Sequence, residues 1–213
     1  NNTAGTHGGG VYLNASDNNS ISGLIANNIA TNTGGGLFFT DSHSNSLSGL
    51  VASNTSFSTI NVQSGGGAYL TNCRYLSLNA DFISNVSGHS GGAIATHNVK
   101  NSVIDGNFIM NYAHGRGGGI YLRHSISNSI SGNIIGNTAA GWYGGGIYMR
   151  DSIRNSISGN IISNTANLIG GGIYVRESIS NSISGNIISN TVNQYGGGLR
   201  IYGSDYTEVN AKL

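Results

Sequence analysis

GGGIYMRDSIRNSISGNIISNTANLI, running from Gly144 to Ile169, decides the fold. It recurs nearly letter for letter as GGGIYVRESISNSISGNIISNTVNQY, Gly170–Tyr195, and one residue longer as Gly117–Tyr143. Working outward, glycine signatures begin at Gly8, Gly34, Gly65, Ser90, Gly117, Gly144, Gly170 and Gly196, with spacings of 26, 31, 25, 27, 27, 26 and 26 residues. Units of this length bury their apolar faces only against their neighbours, which is the logic of a solenoid. The segments are short, β-branched and bounded by Gly, Ser and Asn, so the unit reads as strands and not helices. The expected architecture is all-β: a single-stranded parallel β-helix of about eight coils of ~26 residues, three short strands per coil. With coils ~4.8 Å apart it forms a rod roughly 38 Å long.

Strand one follows the glycines: VYLN at Val11, LFFT at Leu37, AYLT at Ala68, AIAT at Ala93, IYLR at Ile120, IYMR at Ile147, IYVR at Ile173 and LRIY at Leu199. Positions one and three are apolar and point inward; two and four point outward by the period of two. Strand two centres on NSISG, with Ile21, Leu47, Leu78, Ile130, Ile157, Ile183 and Val209 inward and serines flanking them toward solvent. The Ala93 copy carries one extra residue around Val103–Asp105, which leaves its register open. Strand three contributes Ile25, Val51, Phe82, Phe108, Ile134, Ile161 and Ile187. It closes on an unbroken column, Asn28, Asn54, Asn85, Asn111, Asn137, Asn164 and Asn190. A second column, Asn19, Asn45, Asn101, Asn128, Asn155 and Asn181, precedes strand two and is broken by Leu76. Asparagine tolerates left-handed turns, and its amide both donates and accepts along a stack.

Composition agrees. The 213 residues hold 35 glycines, no proline and only 8% charged side chains, against about 25% in an ordinary domain. Without proline every backbone N–H is free to join a ladder. Disorder is excluded by the 38% of apolar residues recurring at fixed spacing. A net charge of +1 with scattered basic residues gives no nucleic-acid stripe. No apolar run is long enough to insert into a membrane. The single cysteine, Cys73, sits in a column otherwise mostly of serine and reads as a small buried thiol.

The GG-apolar starts and the segments FISN (Phe82–Asn85) and FIMN (Phe108–Asn111) resemble the repeats of polymorphic outer membrane proteins. The NSISGNIISNT segments resemble right-handed parallel β-helix repeats of the NosD-like, Gly-rich surface group. The resemblance covers nearly the whole chain and implies a right-handed coil. That group includes adhesins, polysaccharide lyases, epimerases and structural proteins.

The outward rows of strand one supply the candidate ligand face. Position two gives Tyr12, Phe38, Tyr69, Ile94, Tyr121, Tyr148 and Tyr174; position four gives Asn14, Thr40, Thr71 and Thr96, then Arg123, Arg150 and Arg176. A rail of rings beside guanidinium groups suits an anionic polysaccharide. The structural reading is that rings stack on one another and the arginines pair with the neighbouring column His124, Asp151 and Glu177. Between strand three and the next glycines the connections vary, the longest being Thr55–Ser64. There Trp142, Tyr143, Leu168, Ile169 and Tyr195 either form a binding edge or fold over the rod.

Catalytic chemistry has little to draw on. Asp151 and Glu177 each lie beside an arginine, and Asp81 and Asp105 approach each other only in one register, so no catalytic residue is assigned. His97 and His124 share a column, but two histidines fall short of a zinc site, and neither metal nor cofactor is expected. The serine face of strand two invites an ice-binding reading, weakened by the scarcity of threonine. The chain is expected to be one domain, 1–213, both ends mid-coil and without an obvious cap. Two readings fit such ends: a piece of a longer β-helix, or a subunit stacking head-to-tail into a filament. The expected role is a non-catalytic extracellular or cell-surface rod, structural or adhesive. Its partner is a second copy, end to end or lateral, or a surface polysaccharide.

Overall fold

The computed structural model describes residues 1–58 and 64–213. Within them the chain winds through stacked coils joined only by parallel pairing, in three sheets, with no helix among the described residues. The first sheet holds eight strands, among them Ile120–Arg123, Ile147–Arg150 and Ile173–Arg176. Its register sets Ile120, Ile147 and Ile173 on one another, and Leu122, Met149 and Val175 beside them. These two rows are buried in the core.

The second sheet unites the second and third strands read from the sequence. Ser20–Ala26, Ser46–Ala52 and Ser182–Ile188 run through as single bent strands, while Ser129–Ser131 and Asn133–Ile135 remain separate. The bend falls at Gly23, Gly49 and Gly185, each with φ near 100° (102°, 103° and 100°), a conformation open to glycine at little cost. Ile134, Ile161 and Ile187 stack in register. Burying each such side chain contributes on the order of 1.5–3 kcal/mol.

A third sheet lies where the sequence suggested only connections. Its eight strands are two residues long, as in Ile29–Ala30, Val86–Ser87, Tyr112–Ala113, Thr138–Ala139 and Thr165–Ala166. The second residue of these strands is small and buried: Ala30, Ser87, Ala113, Ala139 and Ala166. Part of the long connection Thr55–Ser64, residues 59–63, lies outside the described residues.

One coil differs in register from the sequence reading. Its glycine signature starts at Gly91, not Ser90, because Ser90 pairs with Arg116 in the column before the glycines. Ala93 therefore occupies the third glycine's place, and Ile94 pairs with Ile120. The outward position-two residue is Ala95 rather than Ile94, and position four is His97 rather than Thr96. Thr96 turns into the core, where its Oγ1 lies 2.9 Å from the Ser125 hydroxyl. No extra residue is needed at Val103–Asp105: Ile104 stacks between Leu78 and Ile130. In the second asparagine column Ser102, not Asn101, takes the place, accepting from Leu76 N–H and donating its own N–H to Asn128 Oδ1.

The first column forms a continuous relay from Asn2 to Asn190. In each step the backbone N–H and Nδ2 of one asparagine both donate to Oδ1 of the next, at 2.9–3.0 Å. Left-handed φ falls on the residue before the asparagine, as at Ser53, Ser84 and Ser163. The relay, and not turn conformation, is what these asparagines supply.

Candidate functional site

Apart from Tyr12 in the first coil, which is half exposed, the outward rings of the first sheet do not face solvent. Tyr121, Tyr148 and Tyr174 stack with centroids 5.4 and 5.2 Å apart and planes within 23° and 19°. Tyr148 is only 1% exposed, and Phe38, Tyr69, Ala95, Tyr121 and Tyr174 are buried with it in a second apolar cluster outside the main core. Tyr143 leans on Tyr148 and Tyr174 at 5.7 and 5.5 Å, and Ile169 packs beside it. These two connection residues fold over the rod, so Tyr121, Tyr148 and Tyr174 offer no open ring face to a sugar. Burial, with Tyr121 next, pushes the Tyr148 hydroxyl up to about 12.

Two members of the arginine row, Arg150 and Arg176, are paired along the row's own surface. Arg150 Nε lies 3.1 Å from Asp151 and its Nη2 3.4 Å from Glu177, while Arg176 Nη2 reaches Glu177 at 2.9 Å. Hydrogen bonding from Arg176 holds the Glu177 carboxyl below its ordinary value, so Glu177 stays a charged acceptor and not a general acid. Arg123 stands beside His97 in register, and the His97 and His124 rings lie 5.3 Å apart although their backbones occupy adjacent columns. Asp81 and Asp105 do not pair: Asp81 accepts from Asn107 N–H and Nδ2, and Asp105 accepts from the Ser131 hydroxyl. Among the described residues no group of three or more His, Cys, Asp or Glu is placed to hold a metal ion.

Of the three aromatic edge residues, Tyr143 is a cover and Tyr195 is exposed with Arg200 over its ring at 5.1 Å. Trp142 instead borders a cavity of about 320 Å³, lined also by Phe57, Gly88, His89, His114 and Gly115. These residues come from corners just past the third sheet: Phe57 follows Thr55–Ser56, Gly88 follows Val86–Ser87, and His114 follows Tyr112–Ala113. The corners are tied coil to coil by Gly88 N–H to Ser56 O (2.8 Å), Gly115 N–H to His89 O (2.7 Å) and Trp142 N–H to Gly115 O (2.9 Å). Phe57, His89 and His114 were not singled out in the sequence. Their signal is position, one or two residues beyond a buried small residue, and it becomes readable only once the third sheet is known.

A parallel coil with three sheets and stacked like residues defines a β-solenoid. The chain belongs to the right-handed β-helix family: the family described as "Right handed beta helix region" matches residues 52–212. This fixes the hand of the coil, and the family holds enzymes and non-enzymes alike. Comparison with curated proteins gave no match, and neither did comparison with solved structures.

Proposed function

We propose that this β-helix serves as a non-catalytic rod, structural or adhesive, displayed outside the cell. The observation that carries the reading is the asparagine relay, which runs unbroken from Asn2 to Asn190. Buried amides that satisfy one another in every coil resist water and shear, as a stalk or scaffold requires. The second support is self-pairing of the outer face, where rings stack and Arg150 and Arg176 meet the carboxylates beside them. A glycan lying along that face at Arg150 and Arg176 would meet guanidinium heads about a third exposed and already paired, beside tyrosine rings that are buried. The extracellular setting rests on the likeness of the GG-apolar, FISN and FIMN segments to surface-protein repeats.

The test is turnover. Purified protein incubated with pectate, alginate, hyaluronan and heparin should release neither unsaturated uronates nor new reducing ends. Accumulation of either product, proportional to protein concentration, would overturn the non-catalytic reading.

A further inference from the structure

We propose that the cavity between Phe57 and Trp142 binds a neutral pyranose ring. Its volume, about 320 Å³, lies at the small end of the range for small-molecule sites, ~300–1,000 Å³. Two aromatic side chains border it while staying open to solvent, Phe57 at 57% and Trp142 at 37% exposure. Large rings left open at the rim of a concavity are what a sugar's C–H face packs against. The floor is cut by Gly88 and Gly115. A β-carbon on Gly115 would come within 2.6 Å of the His89 carbonyl oxygen and 2.9 Å of the Trp142 ring. Glycine there lets the indole approach the backbone that carries His89.

His89 is the buried polar element of the site, beside the exposed His114 that also lines it. It is 95% buried, being 5% exposed, and its ring meets Trp142 edge-on at 5.7 Å. Its Nδ1 lies 2.7 Å from the Ser90 hydroxyl. Its Nε2 is buried without a hydrogen-bond partner among the described residues. Such an atom is rare in a folded protein and marks a place where a partner is missing. Burial first, and Arg116 second, lower the His89 pKa, so the imidazole is neutral near pH 7. Arg116 itself lies over the Trp142 ring at 4.8 Å.

These features select the ligand class. Among the described residues that line the cavity there is no Asp, Glu or Lys, so a cation would lose hydration with no opposite charge to meet it, and the one cation nearby, Arg116, lies over the Trp142 ring. A wholly apolar ligand would leave Nε2 unmet. A hydroxyl both donates and accepts, and so satisfies Nε2 in either tautomer of His89. A ring with one apolar face and a hydroxyl edge, as in a pyranose, meets the walls and the imidazole together.

Trp142 is the only tryptophan of the chain, so its fluorescence reports on this site alone. The full chain is titrated with methyl glucoside, methyl galactoside, methyl mannoside and methyl N-acetylglucosaminide. A saturable change with at least one is expected. Phe57→Ala, at an exposed position, and His89→Phe, which keeps a ring but removes Nε2, should each weaken it about fivefold to tenfold. If His89→Phe fails to fold, Phe57→Ala decides. The proposal is overturned if none of the four sugars gives saturable binding, if Phe57→Ala leaves the affinity unchanged, or if indole binds more tightly than every sugar tested.

Discussion

Asn111 and Asn137 are joined by two hydrogen bonds to a single oxygen: the backbone N–H and Nδ2 of Asn111 both donate to Asn137 Oδ1, at 2.9 and 3.0 Å. Asn111 in turn accepts the same pair from Asn85 and donates to the Phe82 carbonyl at 2.9 Å. Each buried amide thus closes one coil and holds the next.

Asn111→Ala removes the acceptor of two buried donors on Asn85 and a donor to the Phe82 carbonyl. Each orphaned group costs about 1–3 kcal/mol, so a loss of about 3–5 kcal/mol is expected in urea unfolding. Asn190→Ala, at the half-buried end of the relay, leaves the donors of Asn164 within reach of water. It should cost only about 1 kcal/mol. Equal losses at the two sites would show that the relay contributes little in the middle of the rod.

Tyr148 predicts an alkaline limit. Its hydroxyl has an ordinary value of 10.0 and is pushed up to about 12 in the fold, by burial before all else. A group whose pKa is raised on folding gives stability that is fully present below the unfolded value and lost as pH rises through the folded one. The contribution should therefore be constant up to about pH 10 and fade between about 10 and 12, by on the order of 2 kcal/mol. Tyr148→Phe keeps the ring stack and should flatten this part of the stability–pH curve. Identical alkaline slopes in the two proteins would assign the loss to other groups.

The core rows were legible in the sequence because position and chemistry repeat together. Ile134, Ile161 and Ile187 are β-branched, spaced by one coil, and stack as read. Register failed where chemistry imitated position. Ser90-Gly91-Gly92 looks like a signature with serine replacing the first glycine, yet Ala93 replaces the third. The third sheet was hidden because two residues are too few for alternation to show. Alternation correctly sent Tyr121, Tyr148 and Tyr174 to the outer side of their sheet, but it carries no information on what lies above. Tyr143 and Ile169, in irregular connections, supply that cover. The cavity escaped for the same reason: Phe57, His89 and Trp142 meet only through the corner geometry of successive coils.

Cys73 stands in a column where Ser42, Ser125, Ser152 and Ser178 are also buried. The column serines donate to the carbonyl two residues back, as Ser152 does to Arg150 O at 2.8 Å, and the Cys73 thiol follows with Thr71 O at 3.2 Å. Burial pushes the thiol up to about 11, so near pH 8 almost none is the reactive thiolate. An aromatic disulfide reagent should modify Cys73 slowly in the native protein and rapidly after unfolding in urea. Cys73→Ser should change stability by less than about 1 kcal/mol, since serine already makes this bond elsewhere in the column. Rapid native-state labelling would mean that this coil opens locally.

Gly145 and Gly146 are neighbours in sequence, yet alanine should affect them very differently. A β-carbon on Gly145 would run into backbone on two sides, the Gly171 carbonyl oxygen and Thr165 C at 2.5 Å. Backbone already fixed in parallel ladders cannot withdraw, so Gly145→Ala should cost about 4 kcal/mol or more, or prevent folding. A β-carbon on Gly146 would meet Gly172 O at 2.7 Å and the Asn164 side chain at 3.2 Å. The fold has accommodated that same methyl once, because Ala93 fills the third place of its own signature and is fully buried. Gly146→Ala should therefore fold and lose only about 1–2 kcal/mol by pressing on the asparagine relay. Thermal or urea unfolding of the two variants decides the matter. If Gly146→Ala proves as damaging as Gly145→Ala, then Ala93 depends on a local adjustment of its own coil, and the three glycine places are equally strict elsewhere.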